Sequence, residues 1–232
     1  MKTLLTIALV TTLFSKSYSQ VYVQGGVNLA NITKTSSGDT EDNNMLTTFN
    51  AGILGRFNLS TAIDLESGLL LEGRGSKAET YFTNSMDDNY VKTRFNPLYL
   101  ELPLNLVVRI PLQKTTNLFF HGGPYAAMGI AGKSTSDSKI IGVTSHSSSD
   151  IKFSNDDPFT SRQDDASYDK LKRFDFGLNI GGGLDLGKVL LKANYGFGLT
   201  KINSTQSDNG ADDENKYRTI SVSLGIPLSK NN

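Results

Sequence analysis

The chain has 232 residues, no cysteine, and 23 basic against 23 acidic residues, so its formal net charge is zero. This balance excludes the basic excess that indicates nucleic-acid binding, and the lack of cysteine excludes a disulfide framework and a lipid-modified thiol. Beyond the N-terminal region, no stretch approaches the run of about 18 apolar residues that indicates a transmembrane helix.

The N-terminal residues predict a cleaved secretory signal peptide. Lys2 supplies a positive start, Leu4 to Phe14 form an apolar centre, and the small residues Ser17 and Ser19 flank Tyr18 just before Gln20. The apolar centre is shorter than the ~20 residues of a membrane-spanning helix. We therefore expect a signal peptide over residues 1–19 and one domain over residues 20–232.

Segments of alternating polarity follow, and each is a predicted β-strand. They cover residues 20–32, 46–58, 61–77, 92–110, 116–133, 172–186, 188–202 and 216–228. Short connections (59–60, 111–115 and 187) alternate with long polar ones (33–45, 78–91, 134–171 and 203–215). This alternation is typical of barrels with short periplasmic turns and long outer loops. The predicted fold is all-β, an eight-stranded antiparallel up-and-down transmembrane β-barrel.

The two faces of each predicted strand differ sharply. From Leu98 to Ile110 every even position is aliphatic, whereas the odd positions include Tyr99, Glu101 and Arg109. A soluble lipocalin-like barrel would turn the aliphatic face inward around a small ligand. Glycines recur on the polar face, at Gly177, Gly181, Gly183, Gly196 and Gly198. They favour a crowded lumen, so we expect the aliphatic face to contact lipid.

Charged side chains on the polar face would then fill the lumen, because eight strands enclose only enough space for side chains. These residues are Arg56, Asp64, Glu66, Glu72, Arg74, Arg94, Glu101, Arg109, Asp175, Asp185 and Lys192. Six acids and five bases predict a structural ion-pair network, since buried charges are tolerated when they are paired. Pro103 lacks an amide donor in the middle of its strand and predicts a local bulge.

Charge is segregated along the chain. The four long connections hold 17 acidic and 5 basic residues, while the rest of the chain after residue 19 holds 6 acidic and 16 basic residues. An acidic rim can bind a cation or a partner, or it can keep exposed loops soluble. Residues 207–215 lack the ligand spacing of an EF-hand, so we predict no metal and no other cofactor.

Catalysis is not predicted. The only histidines are His121, expected on the inner face, and His146, in a serine-rich part of the longest connection. A catalytic site needs a nucleophile and a base held side by side, and loop composition alone explains the serines near His146. We interpret His121 as a lumen hydrogen-bonding residue and His146 as a solvated loop residue. An outer-membrane hydrolase is kept as an alternative.

Several patterns together are similar to those of a known family. They are GGVNLANI (25–32), YLELPLNLVVRI (99–110), GGPYAAMGI (122–130), FDFGLNIGGGLDLG (174–187), NYGFGLTKI (194–202) and RTISVSLGIPL (218–228). The series resembles the PorT-like outer-membrane β-barrel family. The resemblance implies an integral outer-membrane protein of a Gram-negative bacterium, with periplasmic termini and extracellular long loops. It supplies no catalytic residues.

Two functional hypotheses follow. The leading one is a structural or binding role, with outer-membrane lipid as one partner and a protein or extracellular ligand contacting the loops 134–171 and 203–215. The alternative, suggested by the family's name-giving member, is a component of an outer-membrane protein-secretion assembly. Such a component would act through a stable partner, because an eight-stranded barrel is too narrow to pass a protein.

Overall fold

The computed structural model describes residues 19–36, 39–42, 45–84, 87–113, 115–160, 170–202 and 214–228. Its strands are β1 (Ser19–Ser36), β2 (Asp39–Asp42), β3 (Leu46–Asn58), β4 (Ile63–Gly73), β5 (Ser76–Asn84), β6 (Asp87–Gln113), β7 (Thr116–Ile140), β8 (Val143–Asp150), β9 (Lys152–Ser154), β10 (Lys170–Lys172), β11 (Phe174–Asp185), β12 (Leu190–Gly198) and β13 (Glu214–Pro227). Residues 1–18 of the expected signal peptide lie outside the described residues. No helix in the described part of the chain has the length and apolarity needed to cross a bilayer.

A closed ring of eight strands forms the body of the structure. Around the ring the order is β1, β3, β4, β6, β7, β11, β12 and β13, and β13 pairs again with β1. Each neighbouring pair is antiparallel. The predicted eight-stranded antiparallel up-and-down barrel is therefore confirmed. Because the ring is closed, every strand of the wall is hydrogen-bonded to a neighbour on both sides.

The wall turns its aliphatic face outward. In β6, Leu102, Leu104 and Leu106 expose 51%, 48% and 48% of their surface, whereas Glu101 and Asn105 expose 2% and 1%. A continuous exposed aliphatic surface of this kind is typical of a barrel wall in contact with lipid. The predicted orientation of the two faces is confirmed.

Short turns join the strands at one end of the barrel. Residues 59–62 join β3 to β4, and residues 186–189 join β11 to β12. β6 ends at Gln113 and β7 begins at Thr116 at the same end. The Leu186 amide donates to the Val189 carbonyl at 2.9 Å. Gly187 has a φ of +79°, a left-handed conformation that favours glycine.

At the other end, three of the predicted long loops continue as β-structure. In the first, β1 pairs with β2 from Thr33↔Asp42 to Ser36↔Asp39. β5 pairs with β6 from Ser76↔Phe95 to Asn84↔Asp87, and β8 pairs with β7 from Lys133↔Asp150 to Ile140↔Val143. β6 and β7 also stay paired as far as Tyr90↔Lys139. We call the four segments 76–84, 87–95, 133–140 and 143–150 the projecting sheet. Sequence reasoning missed it because neither face carries the apolar stripe by which a half-buried strand is recognised.

The bulge predicted at Pro103 is wrong. On one side Pro103 pairs with Tyr125 in the same register as its neighbours, and the two register shifts between β6 and β7 lie elsewhere, between Leu98 and Tyr99 and between Pro111 and Gln113. On the other side, the ladder with β4 lacks two pairs next to Pro103 and resumes in the same register. The missing proline donor is thus accommodated by an interrupted ladder, and the Ser67 hydroxyl donates to the Pro103 carbonyl at 2.8 Å.

Glycine on the inner face makes room for large side chains. A Cβ at Gly177 would lie 2.5 Å from the ring of Tyr125, and a Cβ at Gly183 would lie 2.7 Å from the ring of Phe119. Both distances are shorter than real carbon contacts allow. The expectation that glycine marks a crowded lumen is confirmed at these positions.

Candidate functional site

A buried carboxylate organises the lumen near the short turns. Glu66 Oε2 accepts hydrogen bonds from the Tyr22 hydroxyl at 2.7 Å and from Arg56 Nε at 2.8 Å. Its Oε1 accepts from Lys192 Nζ at 2.5 Å and from Asn105 Nδ2 at 3.2 Å. One acid thus compensates two buried cations, and we call these five residues the Glu66 cluster.

A second cluster lies nearer the long connections, around the guanidinium of Arg74. This group donates to Asp175 Oδ2 at 2.5 Å, lies 3.3 Å from Glu72 Oε2, and also bonds Glu101. Three tyrosine rings surround it at centroid distances of 4.8 to 5.8 Å: Tyr125, Tyr99 and Tyr217. Aromatic faces stabilise a cation held over them. We call this group the Arg74 cluster.

Three of the other predicted lumen residues lie at the short-turn end. Arg109 Nε lies 2.7 Å from Asp64 Oδ2, and the Arg109 side chain is half-buried. Asp185 is buried, and its Oδ1 accepts from the Gly187 amide at 2.8 Å.

Arg94 lies elsewhere than expected. It is exposed on the projecting sheet, paired with Lys77 of β5 and Thr135 of β7. The reason is that Arg94 shares the parity of Leu98 and Leu102, so it lies on the outward face of β6, and β6 continues beyond the ring at this point. The other ten predicted residues are buried or half-buried within the barrel.

The interior between the two clusters is nearly solid. The cavity there has a volume of about 10 Å³, which is about the space that one water needs. Three of its lining side chains have a buried oxygen without a hydrogen-bond partner: Gln24, Asn105 and Asn194. A single ordered water can bond such oxygens. The described residues therefore form a filled lumen with no wide channel at this level.

Uncharged polar residues also contribute to the lumen, and sequence reasoning did not single them out. Asn50 Nδ2 donates to Asn28 Oδ1 at 2.6 Å, while Asn50 Oδ1 accepts from Gln24 Nε2 at 3.2 Å and Ser223 Oγ at 2.9 Å. All four side chains are buried. They occupy the same alternating strand positions as the charged lumen residues. The two-residue period of the strands is therefore the sequence signal by which they could have been found.

Residues 151–158 and 170–173 close the outer mouth of the barrel, and we call them the outer cap. β9 and β10 pair in parallel within it. The ring of Phe153 meets Tyr99 edge-on, with centroids 5.7 Å apart. Leu171 and Ile151 are buried in the same apolar cluster. The outer cap therefore lies directly over the tyrosines of the Arg74 cluster.

The projecting sheet has one charged face and one hydroxyl-rich face. Its charged face carries Glu79 and Tyr81 of β5, Lys92 of β6, and Asp137 and His146, which bond each other across β7 and β8. The hydrogen bond that the Tyr81 hydroxyl donates lowers the pKa of Glu79. The contact between Tyr81 and Lys92 raises the pKa of the Lys92 ammonium. Both groups therefore stay ionised over a wider pH range than usual.

The opposite face of the sheet points over the barrel mouth. It is formed mainly by serine, threonine, alanine and valine side chains: Ala78, Thr80, Val91, Thr93, Ser134, Ser136, Ser138, Ser145, Ser147 and Ser149. Phe95, on the same face, packs against the apolar cluster beneath the outer cap. This contact fixes which face is turned toward the barrel axis.

The two histidines lie far apart in the structure. His121 is buried in the lumen, with its ring 6.3 Å from that of Phe119. His146 is exposed on the projecting sheet. In the described residues no group of three or more histidine and carboxylate side chains is arranged to hold a metal ion.

Family comparison identifies the type of barrel. Residues 14–204 match the family described as "Outer membrane protein beta-barrel domain". The chain belongs to this family. Membership in the outer membrane protein beta-barrel domain family indicates the outer membrane of a Gram-negative bacterium, in agreement with the closed ring and its exposed aliphatic wall. A search of curated proteins found no match.

Two solved structures are similar at low identity. The attachment invasion locus protein Ail of Yersinia pestis is 14% identical, with a TM-score of 0.37 over 90% of this chain and 99% of that chain. Neisserial surface protein A is 12% identical, with a TM-score of 0.38 over 90% and 97% of the two chains. At these TM-scores neither likeness adds to the assignment, which depends on the strand ring and the family match.

Proposed function

We propose that the chain is a non-catalytic outer-membrane protein that binds a partner through its outer surface. The observation that carries this proposal is the combination of a filled lumen with a projecting sheet. The Glu66 and Arg74 clusters occupy the space that a conducting barrel would leave open. By contrast, every residue of the edge strand β8 is exposed.

An exposed edge strand favours binding over a purely structural role. It presents unpaired backbone groups that can accept a further strand, and such edges are normally protected. β8 lies within the 134–171 connection, which the sequence predicts as a contact surface. The other predicted surface, residues 203–215, is outside the described residues except for Glu214 and Asn215.

In the proposed topology the termini are periplasmic and the projecting sheet is extracellular. The chain has no cysteine, so single substitutions provide clean probes. Ser147→Cys lies on β8 and Ser60→Cys lies in a short turn, and both positions are exposed. Intact cells treated with a membrane-impermeant maleimide should label Ser147→Cys only, while permeabilised cells should label both. Labelling of Ser60→Cys alone in intact cells would reverse the topology.

A secretion-assembly role is the second candidate, supported by the PorT-like resemblance of the strand patterns. The filled lumen means that such a role would be to anchor a partner and not to conduct the exported protein. Purification of the full chain in mild detergent tests this. A stoichiometric partner retained by the native chain and lost on deletion of residues 143–150 supports an anchoring role through the projecting sheet. Purification of the chain alone contradicts it.

A further inference from the structure

We propose that the charged face of the projecting sheet binds the phosphorylated head groups of glycolipids in the outer leaflet. The inference rests on the proposed topology, in which this sheet leaves the membrane on the extracellular side. It concerns a lateral lipid contact, separate from capture of a protein partner at the edge of β8.

Strand alternation places this face on the lipid side of the sheet. Along β6, Leu102 and Leu104 point outward from the wall, and residues of the same parity continue outward through Arg94 and Lys92. Residues of the other parity turn toward the barrel mouth, as the packing of Phe95 against the apolar cluster beneath the outer cap shows. The charged face is therefore a direct continuation of the lipid-facing wall.

Two cations at the start of this face have no partner among the described residues. Arg94 pairs with Thr135 and Asn96 pairs with Lys133, so Arg94 and Lys133 are diagonal neighbours on adjacent strands. Both are exposed, and neither makes a hydrogen bond or ion pair with a described residue. Like charges this close repel each other, and an anion placed between them removes the repulsion.

Among the described residues, no acid of the same face forms an ion pair with Arg94 or Lys133. Glu79 is bonded to Lys77 and Tyr81, and Asp137 is bonded to His146. Asp150 lies opposite Lys133 in the register of β7 and β8, but no ion pair joins them. An external anion therefore has two cations available at the membrane boundary.

Aromatic residues extend the site away from the membrane. The rings of Tyr81 and Tyr90 are 6.4 Å apart, and Lys92 Nζ lies 5.3 and 4.8 Å from their centroids. Amphipathic rings of this kind are enriched at head-group level. Tyrosine rings next to a lysine provide contacts for sugar rings and for a phosphate, so this region suits a ligand that carries both.

The position of the cations favours a lipid over a soluble anion. Arg94 is separated from the outward-facing Leu98 by a single outward position, Asn96, so a head group reaches it from within the leaflet. The four long connections beyond carry 17 acids against 5 bases, and this excess repels polyanions arriving from solution. A head group that diffuses laterally avoids that repulsion.

Binding of purified lipid A to the detergent-solubilised full chain tests the proposal. The double variant Arg94→Glu/Lys133→Glu reverses the charge of these two cations. Lys152→Glu/Lys188→Glu is the matched control, since it makes the same change in charge away from the charged face: Lys152 lies in the outer cap, and Lys188 lies in the short turn between β11 and β12.

We expect the test variant to bind phosphorylated lipid A roughly tenfold or more weakly than the native chain, and the control to bind within about twofold. Dephosphorylated lipid A should bind the native chain and the test variant with the same weak affinity. Equal weakening by both variants, or undiminished binding of dephosphorylated lipid A by the native chain, overturns the proposal. Circular dichroism checks that each variant is folded. Labelling of Ser60→Cys alone in intact cells would refute the proposed topology and not the lipid contact. Failure of the lipid proposal and failure of the topology are therefore distinguishable.

Discussion

Replacing Glu66 by glutamine should destabilise the barrel strongly. The carboxylate bonds both Arg56 and Lys192 within 2.8 Å, and its side chain has no solvent exposure. Glutamine has a similar shape but no charge, so both cations would be left buried without their counter-ion. Breaking a buried ion pair by removing one partner costs about 3–5 kcal/mol. Because two cations share this acid, we expect a loss near the upper end, about 4–5 kcal/mol.

Equilibrium unfolding in guanidinium, with the barrel in lipid vesicles, measures this loss. Circular dichroism is the suitable signal because the chain has no tryptophan. Glu79→Gln is the control, since Glu79 also pairs with a lysine but on the exposed sheet, and its midpoint should move far less than that of Glu66→Gln. Adding Lys192→Met to Glu66→Gln should recover part of the loss, because one of the two uncompensated cations is removed. A loss below about 1 kcal/mol for Glu66→Gln would refute the reasoning.

Two further predictions concern the outer end of the barrel. Phe153→Ala removes the contact with Tyr99 and should make amide exchange in residues 151–154 at least about tenfold faster, since local opening then exposes less apolar surface; unchanged exchange would show that the outer cap does not depend on Phe153. Tyr81→Phe removes the hydrogen bond that lowers the pKa of Glu79, so the carboxyl titration midpoint should rise toward the ordinary value when followed by NMR. With the native Tyr81, the stabilisation from this carboxylate is present above the ordinary glutamate pKa and is lost as pH falls through the lowered one. An unmoved midpoint would assign the shift to Lys77 instead.

The sequence located most of the lumen residues because strand alternation fixes the face on which each side chain lies. Glu66, Glu101 and Asp175 could be placed inside before any partner was known. Their grouping could not be predicted, since it depends on which strands are neighbours and in what register. Glu66 and Lys192 are 126 positions apart, and only ring closure brings them within hydrogen-bonding distance.

Arg94 and Pro103 were both misplaced, for different reasons. The alternation of β6 puts Arg94 on the outward face with Leu98, so its place in the predicted lumen set contradicted the period, whereas Pro103 lies where the β4 ladder is interrupted, which no period indicates. The alternation of polarity in a sequence does not show at which residue a strand leaves the barrel wall. It also does not show which neighbouring strand loses a hydrogen bond to a proline. The projecting sheet was missed for the same reason, because its pairing is set by β6 and β7 continuing together.

The sequence by itself determined the fold class, the number of wall strands and the direction of the aliphatic face. These properties follow from a two-residue period and from the lengths of the connections, which are local. Tertiary structure alone decided the Glu66 and Arg74 clusters, the outer cap and the placement of Arg94 beside Lys133. Each of these depends on contacts between strands that are distant in the chain, and closing the ring is the physical step that sets them.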